Sequence, residues 1–137
     1  MNLELVKAFM KEVGWGFLAT SDGKKVGVRP MGSCVWMDNE VWCATSEGTE
    51  KTVQLRKIPY AEFCFCDKEG KHIRISGHCT ISTNNDDKLR LYEAVPILKN
   101  YIKDPTVPHY LVIRMKPDRI RLMAEAGKGY EDIDVPK

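Results

Sequence analysis

Thr45–Leu55 reads T-S-E-G-T-E-K-T-V-Q-L. It follows an apolar run, Val41-Trp42-Cys43-Ala44, that reads as a strand. It then turns through Gly48 into a short helix that Pro59 keeps from extending. Thr49 suits the helix N-cap, because its hydroxyl can accept a hydrogen bond from a backbone N–H of the first turn. Such unpaired N–H groups, with the helix dipole, make a helix start a ready anion site. Hydroxyls of Thr45, Ser46, Thr49 and Thr52 surround the turn, and Lys51 adds a full positive charge. The cluster suits the phosphate of a small cofactor. It equally describes an ordinary capped helix on a surface.

Upstream, Val26–Cys34 reads V-G-V-R-P-M-G-S-C, a strand with Arg29-Pro30-Met31 in its middle. A proline inside a strand marks an edge or a bulge, where backbone groups are free to meet a ligand. Strand, hairpin, strand, then S-x-G-T-x-K (Ser46–Lys51) and a short helix: this order resembles the FMN-binding split-barrel family. That is the fold of pyridoxamine 5′-phosphate oxidase and of many smaller flavin proteins. The resemblance runs from about Gly14 to about Met123. It implies a homodimer that binds one FMN per subunit at its interface. By the match, Arg29, Pro30, Met31, Gly32, Ser33 and Cys34 lie along the flavin ring, with Arg29 within reach of the phosphate. Ala44 and Thr45 lie on the ring and ribityl side, and Thr49, Glu50 and Lys51 at the phosphate.

The chain departs from the oxidase in three places. Glu50 stands where the oxidase has a second cation, which weakens phosphate binding unless Glu50 swings into solvent. His72 aligns approximately with a glutamine of the oxidase. The C-terminal stretch R-L-M-A-E-A-G-K-G-Y-E-D-I-D-V-P-K carries no tryptophan, which the oxidase uses there for its vitamin substrate. The resemblance therefore implies FMN binding and not vitamin B6 oxidation.

Composition sets wider bounds. A chain of 137 residues is expected to form a single domain, 1–137. A net charge of +2 points neither to nucleic acid nor to an anionic membrane surface. No apolar run approaches the ~20 residues needed to cross a bilayer. The start, M-N-L-E-L-V-K-A-F-M-K-E, is broken by charges and does not read as a signal peptide, so a cytoplasmic protein is expected. Five cysteines, an odd number, suit a reducing compartment. Cys64 and Cys66 share one strand face, but no C-x-x-C pair suggests a metal site, and free cysteines pack as small apolar residues.

The remaining elements follow from periodicity. Residues 1–13 hold an amphipathic helix capped by Asn2, with Leu3, Val6, Phe9, Met10 and Val13 on one side. Strands are expected over Trp15–Thr20, Val26–Met37 (bent at Pro30 or Gly32), Val41–Thr45, Tyr60–Asp67, His72–Thr83, Tyr110–Met115 and Arg119–Met123. Along His72–Thr83, Ile73, Ile75, Gly77, Cys79 and Ile81 share one face. His72, Arg74 and His78 lie on the other, toward solvent or toward a cofactor cavity. Asn84 caps a helix that carries Leu89, Tyr92 and Val95 inward. The tail, 125–137, is expected to be loose or to wrap a partner. Together these give a mainly β protein: an antiparallel split barrel of six to seven strands with small helical insertions.

No G-x-G-x-x-G, P-loop, G-x-S-x-G or H-E-x-x-H sequence is present, which argues against Rossmann and common hydrolase chemistry. The leading expectation is an FMN-dependent oxidoreductase or flavin reductase acting on a small molecule. NAD(P)H is a plausible electron donor, although nothing in the sequence reads as its site. The alternative is a non-catalytic FMN carrier for electron transfer or storage. Relatives of this family also bind haem or F420; His72, His78 and His109 bear on the first.

Overall fold

Asp38 and Asn39 both take positive φ, 53° and 62°. Short polar side chains tolerate that region, and two such residues make the tight turn that matches the twist of a hairpin. They join β3 (Val35–Met37) to β4 (Glu40–Ser46), with Val35 opposite Trp42 and Met37 opposite Glu40. The computed structural model describes residues 2–137. Around this hairpin lie β1 (Gly16–Ser21), β2 (Val26–Met31), β5 (Tyr60–Cys66), β6 (His72–Ser82), β7 (Tyr110–Met123) and β8 (Glu131–Ile133). The helices are α1 (Leu3–Val13), α2 (Glu50–Lys57) and α3 (Asn85–Ala94), with a 3₁₀ turn at Pro96–Asn100.

Every pairing is antiparallel, in the order β2-β1-β5-β6-β7-β4-β3, with β8 beside β7. β2 and β3 are consecutive in the chain yet sit at opposite ends of that path. A flat sheet would hold them about 29 Å apart, at roughly 4.8 Å per strand. The link Gly32-Ser33-Cys34 reaches at most about 14 Å from Met31 to Val35. The sheet must therefore curl until its edges meet, which makes a barrel.

The barrel interior is filled by the inward positions of each strand. Leu18, Val41, Cys43, Phe63, Phe65, Ile73, Ile75, Cys79, Ile113, Met115 and Ile120 pack there, and Val6, Phe9 and Met10 of α1 plug one end. A second apolar layer lies outside β4 and β7, where Trp42, Tyr110 and Val112 meet Leu91 and Leu98. The guanidinium groups of Arg90 and Arg114 flank Trp42, with centroid distances of 5.1 and 4.8 Å.

Four expectations change. The strand expected over Val26–Met37 is two strands, because the chain leaves one sheet edge at Met31 and joins the other at Val35. The two strands expected across Tyr110–Met123 are one. Lys116-Pro117-Asp118 forms a bulge and not a turn, with Ser76 opposite Arg119 and Gly77 opposite Pro117. Asp118 is the extra residue, and its carboxylate accepts the Tyr60 hydroxyl at 2.8 Å. Leu89 of α3 is exposed, and Leu91 takes the buried position. In the tail, β8 pairs with β7 and Ile133 is buried against the barrel core, so eight strands replace six or seven.

The bulge depends on Gly77, where a Cβ would fall on the Lys116 carbonyl and Pro117. Backbone cannot yield as a side chain end does. Gly77→Ala is expected to destabilise the fold by about 1–3 kcal/mol, read as a lower urea midpoint with an unchanged slope.

Candidate functional site

Arg29 lies on the inward-facing side of β2, between β1 and α2. Its Nη1 donates to the Leu18 carbonyl at 3.1 Å, the Thr20 hydroxyl at 2.7 Å and the Gly27 carbonyl at 3.3 Å. The Thr20 hydroxyl in turn donates to Gln54 Oε1, both residues being buried. One end of the guanidinium is thus locked to strand and helix together, and Nη2 is left as its outward donor. Nη2 meets Glu50 Oε1 at 2.7 Å. Beneath this contact lies Gly27, where a Cβ would fall on both atoms of the pair. Glu50 neither swings into solvent nor blocks a buried space: its side chain is 66% exposed, against 18% for Arg29.

Lys51, the next residue, is half-buried and makes no ion pair among the described residues. Burial pulls its ammonium below the ordinary lysine value; the Cys43 thiol opposes this and the Arg29 guanidinium reinforces it. Two cations thus lie close together, and only Arg29 has a carboxylate partner among the described residues. Thr49 occupies the N-cap of α2, but its hydroxyl makes no capping bond. It donates to the Ser46 carbonyl at 2.9 Å and joins Thr45 and Thr52 in a hydroxyl network, at 3.2 and 2.8 Å. The expected cap is therefore corrected: the threonines bond one another and the β4 end, and among the described residues no side chain caps the first-turn N–H groups of α2.

The remaining expected residues divide. Pro30 and Met31 finish β2, Gly32 packs under the Trp15 ring, and the Ser33 hydroxyl accepts the Ala44 N–H at 3.0 Å. Cys34 packs against the barrel core beside Cys43. These residues connect to the α2 end of β4 by steps: Ser33 bonds Ala44, Thr45 bonds Thr49, Glu50 pairs with Arg29, and Lys51 lies within electrostatic reach of Cys43 and Arg29. His72 does not join them. It sits three strands from β2 in the sheet order, where its Nδ1 contacts the Gly70 carbonyl at 2.9 Å and its Nε2 the Tyr130 hydroxyl at 2.7 Å. There Glu62 binds Arg74 through both oxygens, at 2.9 and 2.8 Å, and Arg121 at 3.3 Å. Both arginines lie over the Tyr130 ring.

Sequence reasoning missed Thr20, Gln54 and Gly27, which orient Arg29. Polar residues inside an apolar strand (Thr20) and on the inward side of a short helix (Gln54) were the available signal.

The geometry can be compared with known proteins. A family model described as pyridoxamine 5′-phosphate oxidase matches residues 3–124. No curated protein matches the sequence. Among solved structures, a NimC/NimA family protein of Clostridium acetobutylicum superposes with a TM-score of 0.83 at 23% identity, covering 96% of this chain and 90% of its own. General stress protein 26 of Bacillus anthracis gives 0.72 at 19%, covering 93% and 98%. A pyridoxamine 5′-phosphate oxidase-related, FMN-binding protein of Nostoc punctiforme gives 0.70 at 14%, covering 95% and 88%. These likenesses establish the split-barrel fold.

Lys51 is held against its own charge. Because its folded pKa is lowered, the unfolded chain binds that proton more tightly. Stability therefore rises with pH from the folded value up to the ordinary 10.5, and below that window the charge is a constant cost. Lys51→Met, measured without ligand, is expected to be more stable than the wild type at pH 7. The difference should shrink as pH rises through the window, in urea unfolding at pH 7 and pH 10.

Proposed function

The chain belongs to the pyridoxamine 5′-phosphate oxidase family, and from that premise we propose that it binds FMN and transfers hydride through it to a small molecule. The observation that carries the reading is the half-buried Lys51, without a carboxylate partner, beside the outward Nη2 of Arg29. A phosphate dianion supplies the charge this place lacks. The uncapped first turn of α2 adds backbone donors along the same approach. Arg29 would exchange the exposed Glu50 for the phosphate, its Nη1 bonds keeping it oriented.

When bound, FMN supplies the hydride acceptor and donor. The protein would hold and orient it: Pro30–Cys34 would line the ring, and the Ser33–Ala44 hydrogen bond keeps that strip against β4. No general base is needed for hydride transfer, and none is assigned. Reduced nicotinamide is the proposed donor; a carrier would show no turnover with it. Haem has less support, since both ring nitrogens of His72 are engaged.

The site is proposed to be completed by a second copy. On the outer face of β1 and β2, Phe17, Val26 and Val28 are 48%, 79% and 68% exposed, and Pro30 is exposed beside them. An apolar face of this kind calls for a cover. No helix among the described residues is long and apolar enough to cross a membrane.

The unsupplemented protein is expected to show a two-banded flavin spectrum and to release FMN on heating. Lys51→Ala should weaken FMN binding at least tenfold, by fluorescence titration; unchanged affinity refutes the assignment, and a colourless protein that takes up no FMN refutes the reading. Val28→Asp is expected to sediment as a monomer and to bind FMN less tightly than the wild-type dimer.

A further inference from the structure

The hairpin that closes the barrel sets two thiols against each other. Val35 and Trp42 are cross-strand partners, and the Ala44 N–H donates to the Ser33 hydroxyl at 3.0 Å. Cys34 therefore stands opposite Cys43, between two fixed points. The alternation agrees. Val35, Met37, Trp42 and Ala44 face the outer apolar layer, whereas Cys34, Trp36, Val41 and Cys43 face the barrel interior. Directly opposed residues of an antiparallel pair have Cα atoms about 4.5–5.5 Å apart. A disulfide spans about 4.4–6.8 Å between Cα atoms.

The two sulfurs differ in access. Cys43 is fully buried. Cys34 is half-buried and borders a cleft of about 550 Å³ between α1 and β3, which Lys7, Lys11 and Trp36 also line. Small solutes can reach Cys34 through that cleft and cannot reach Cys43. The Cys34 sulfur, as hydrogen-bond partner, and then burial hold the Cys43 thiol well above its ordinary range. Burial pushes the neighbouring Cys79 thiol up to about 12. The order of reaction follows from access: Cys34, at the cleft, meets the oxidant, and the buried Cys43, kept protonated until then, resolves it as its proton passes to the departing hydroxide.

We propose that Cys34 and Cys43 form a peroxide-responsive dithiol that closes to a cross-strand disulfide. In the first step the Cys34 sulfur attacks the peroxide O–O bond. A sulfenic acid forms, and the departing hydroxide takes the thiol proton and leaves as water. In the second step the Cys43 sulfur attacks the Cys34 sulfur. The S–S bond forms, and the sulfenic hydroxide leaves as a second water with the Cys43 proton. Two thiols lose two electrons, and one hydrogen peroxide becomes two waters. The step uses no flavin and stands whether or not the proposed cofactor binds. The bond would staple the link Gly32–Cys34 to β4 at the place where the barrel closes.

The test is thiol counting on the intact protein, exposed to dilute hydrogen peroxide, then unfolded and alkylated. Of the five cysteines, two should be lost to alkylation and the mass should fall by two hydrogens. No lysine or arginine lies between the pair, so trypsin leaves both on one peptide. Cleavage at Asp38 in the hairpin turn and at Glu40 at the start of β4 gives two peptides that the disulfide holds together. Cys34→Ser should keep its remaining thiols free. A variant with Cys64→Ser and Cys66→Ser, which alters only β5, should still form the link. The proposal is overturned if all five thiols stay free, if Cys34 proceeds to a sulfinic acid with Cys43 reduced, or if the link joins any other pair.

Discussion

Three residues carry the chain from one edge of the sheet to the other, and the rest of the structure depends on that reach. With Met31 ending β2 and Val35 starting β3, the sheet cannot lie flat. Closure puts β2 and the β3–β4 hairpin side by side, although five strands separate β2 from β3 in the pairing order. Arg29 comes from one side of the seam, Thr45 and Lys51 from the other, and Ser33 bonds across it. The barrel and the candidate site are therefore one feature. A strand that simply continued from Val26 to Met37 would keep Arg29 away from α2.

The seam also explains why polar groups are concentrated there. Sheet edges expose N–H and C=O groups that other strands satisfy by pairing. Here side chains do part of that work: Nη1 of Arg29 on β2 takes up two backbone carbonyls, and the hydroxyls of Thr49 and Thr52 take the Ser46 carbonyl. No buried side-chain nitrogen or oxygen among the described residues lacks a partner. Against that background the half-buried Lys51 stands apart. A local arrangement that disfavours a charge and yet keeps it is typical of a site shaped for a ligand.

Much of this was legible from the residues. The period of two along His72–Ser82 placed Ile73, Ile75 and Cys79 inside, and Asn84 capped α3 as its type suggests. The S-E-G-T-E-K stretch marked the turn and helix that bear Lys51. What failed did so where long-range geometry overrode local signals. Lys116-Pro117-Asp118 has the composition of a turn, but β6 pairs on both sides of it, and Gly77 gives the room to absorb one extra residue as a bulge. Thr49 has the chemistry of a cap, but Ser46, Thr45 and Thr52 compete for its hydroxyl. His72 matched by alignment alone. The sheet order sets it apart from Arg29, and Tyr130, from a tail expected to be loose, occupies its ring.

Glu50 shows how magnitudes settle an ambiguity that residue types leave open. An acidic residue in place of a cation reads as the loss of a phosphate site. Its carboxylate is two-thirds exposed, and ion pairs of that kind are worth about 0–1 kcal/mol. A hydrogen bond to a charged group contributes about 1.5–3 kcal/mol. An anion that gained Lys51 and took over the Glu50-bound Nη2 of Arg29 would therefore outweigh the pair it displaced. Gly27 supports the same conclusion: the space beneath the pair is kept open by the missing side chain, so Arg29 Nη2 stays in place whether or not Glu50 does. In the absence of a ligand Glu50 lowers the local charge of two close cations. On the proposed reading a bound phosphate would displace that carboxylate, which is already largely exposed. On that reading, a glutamate in place of a cation would thus weaken the phosphate site without removing it.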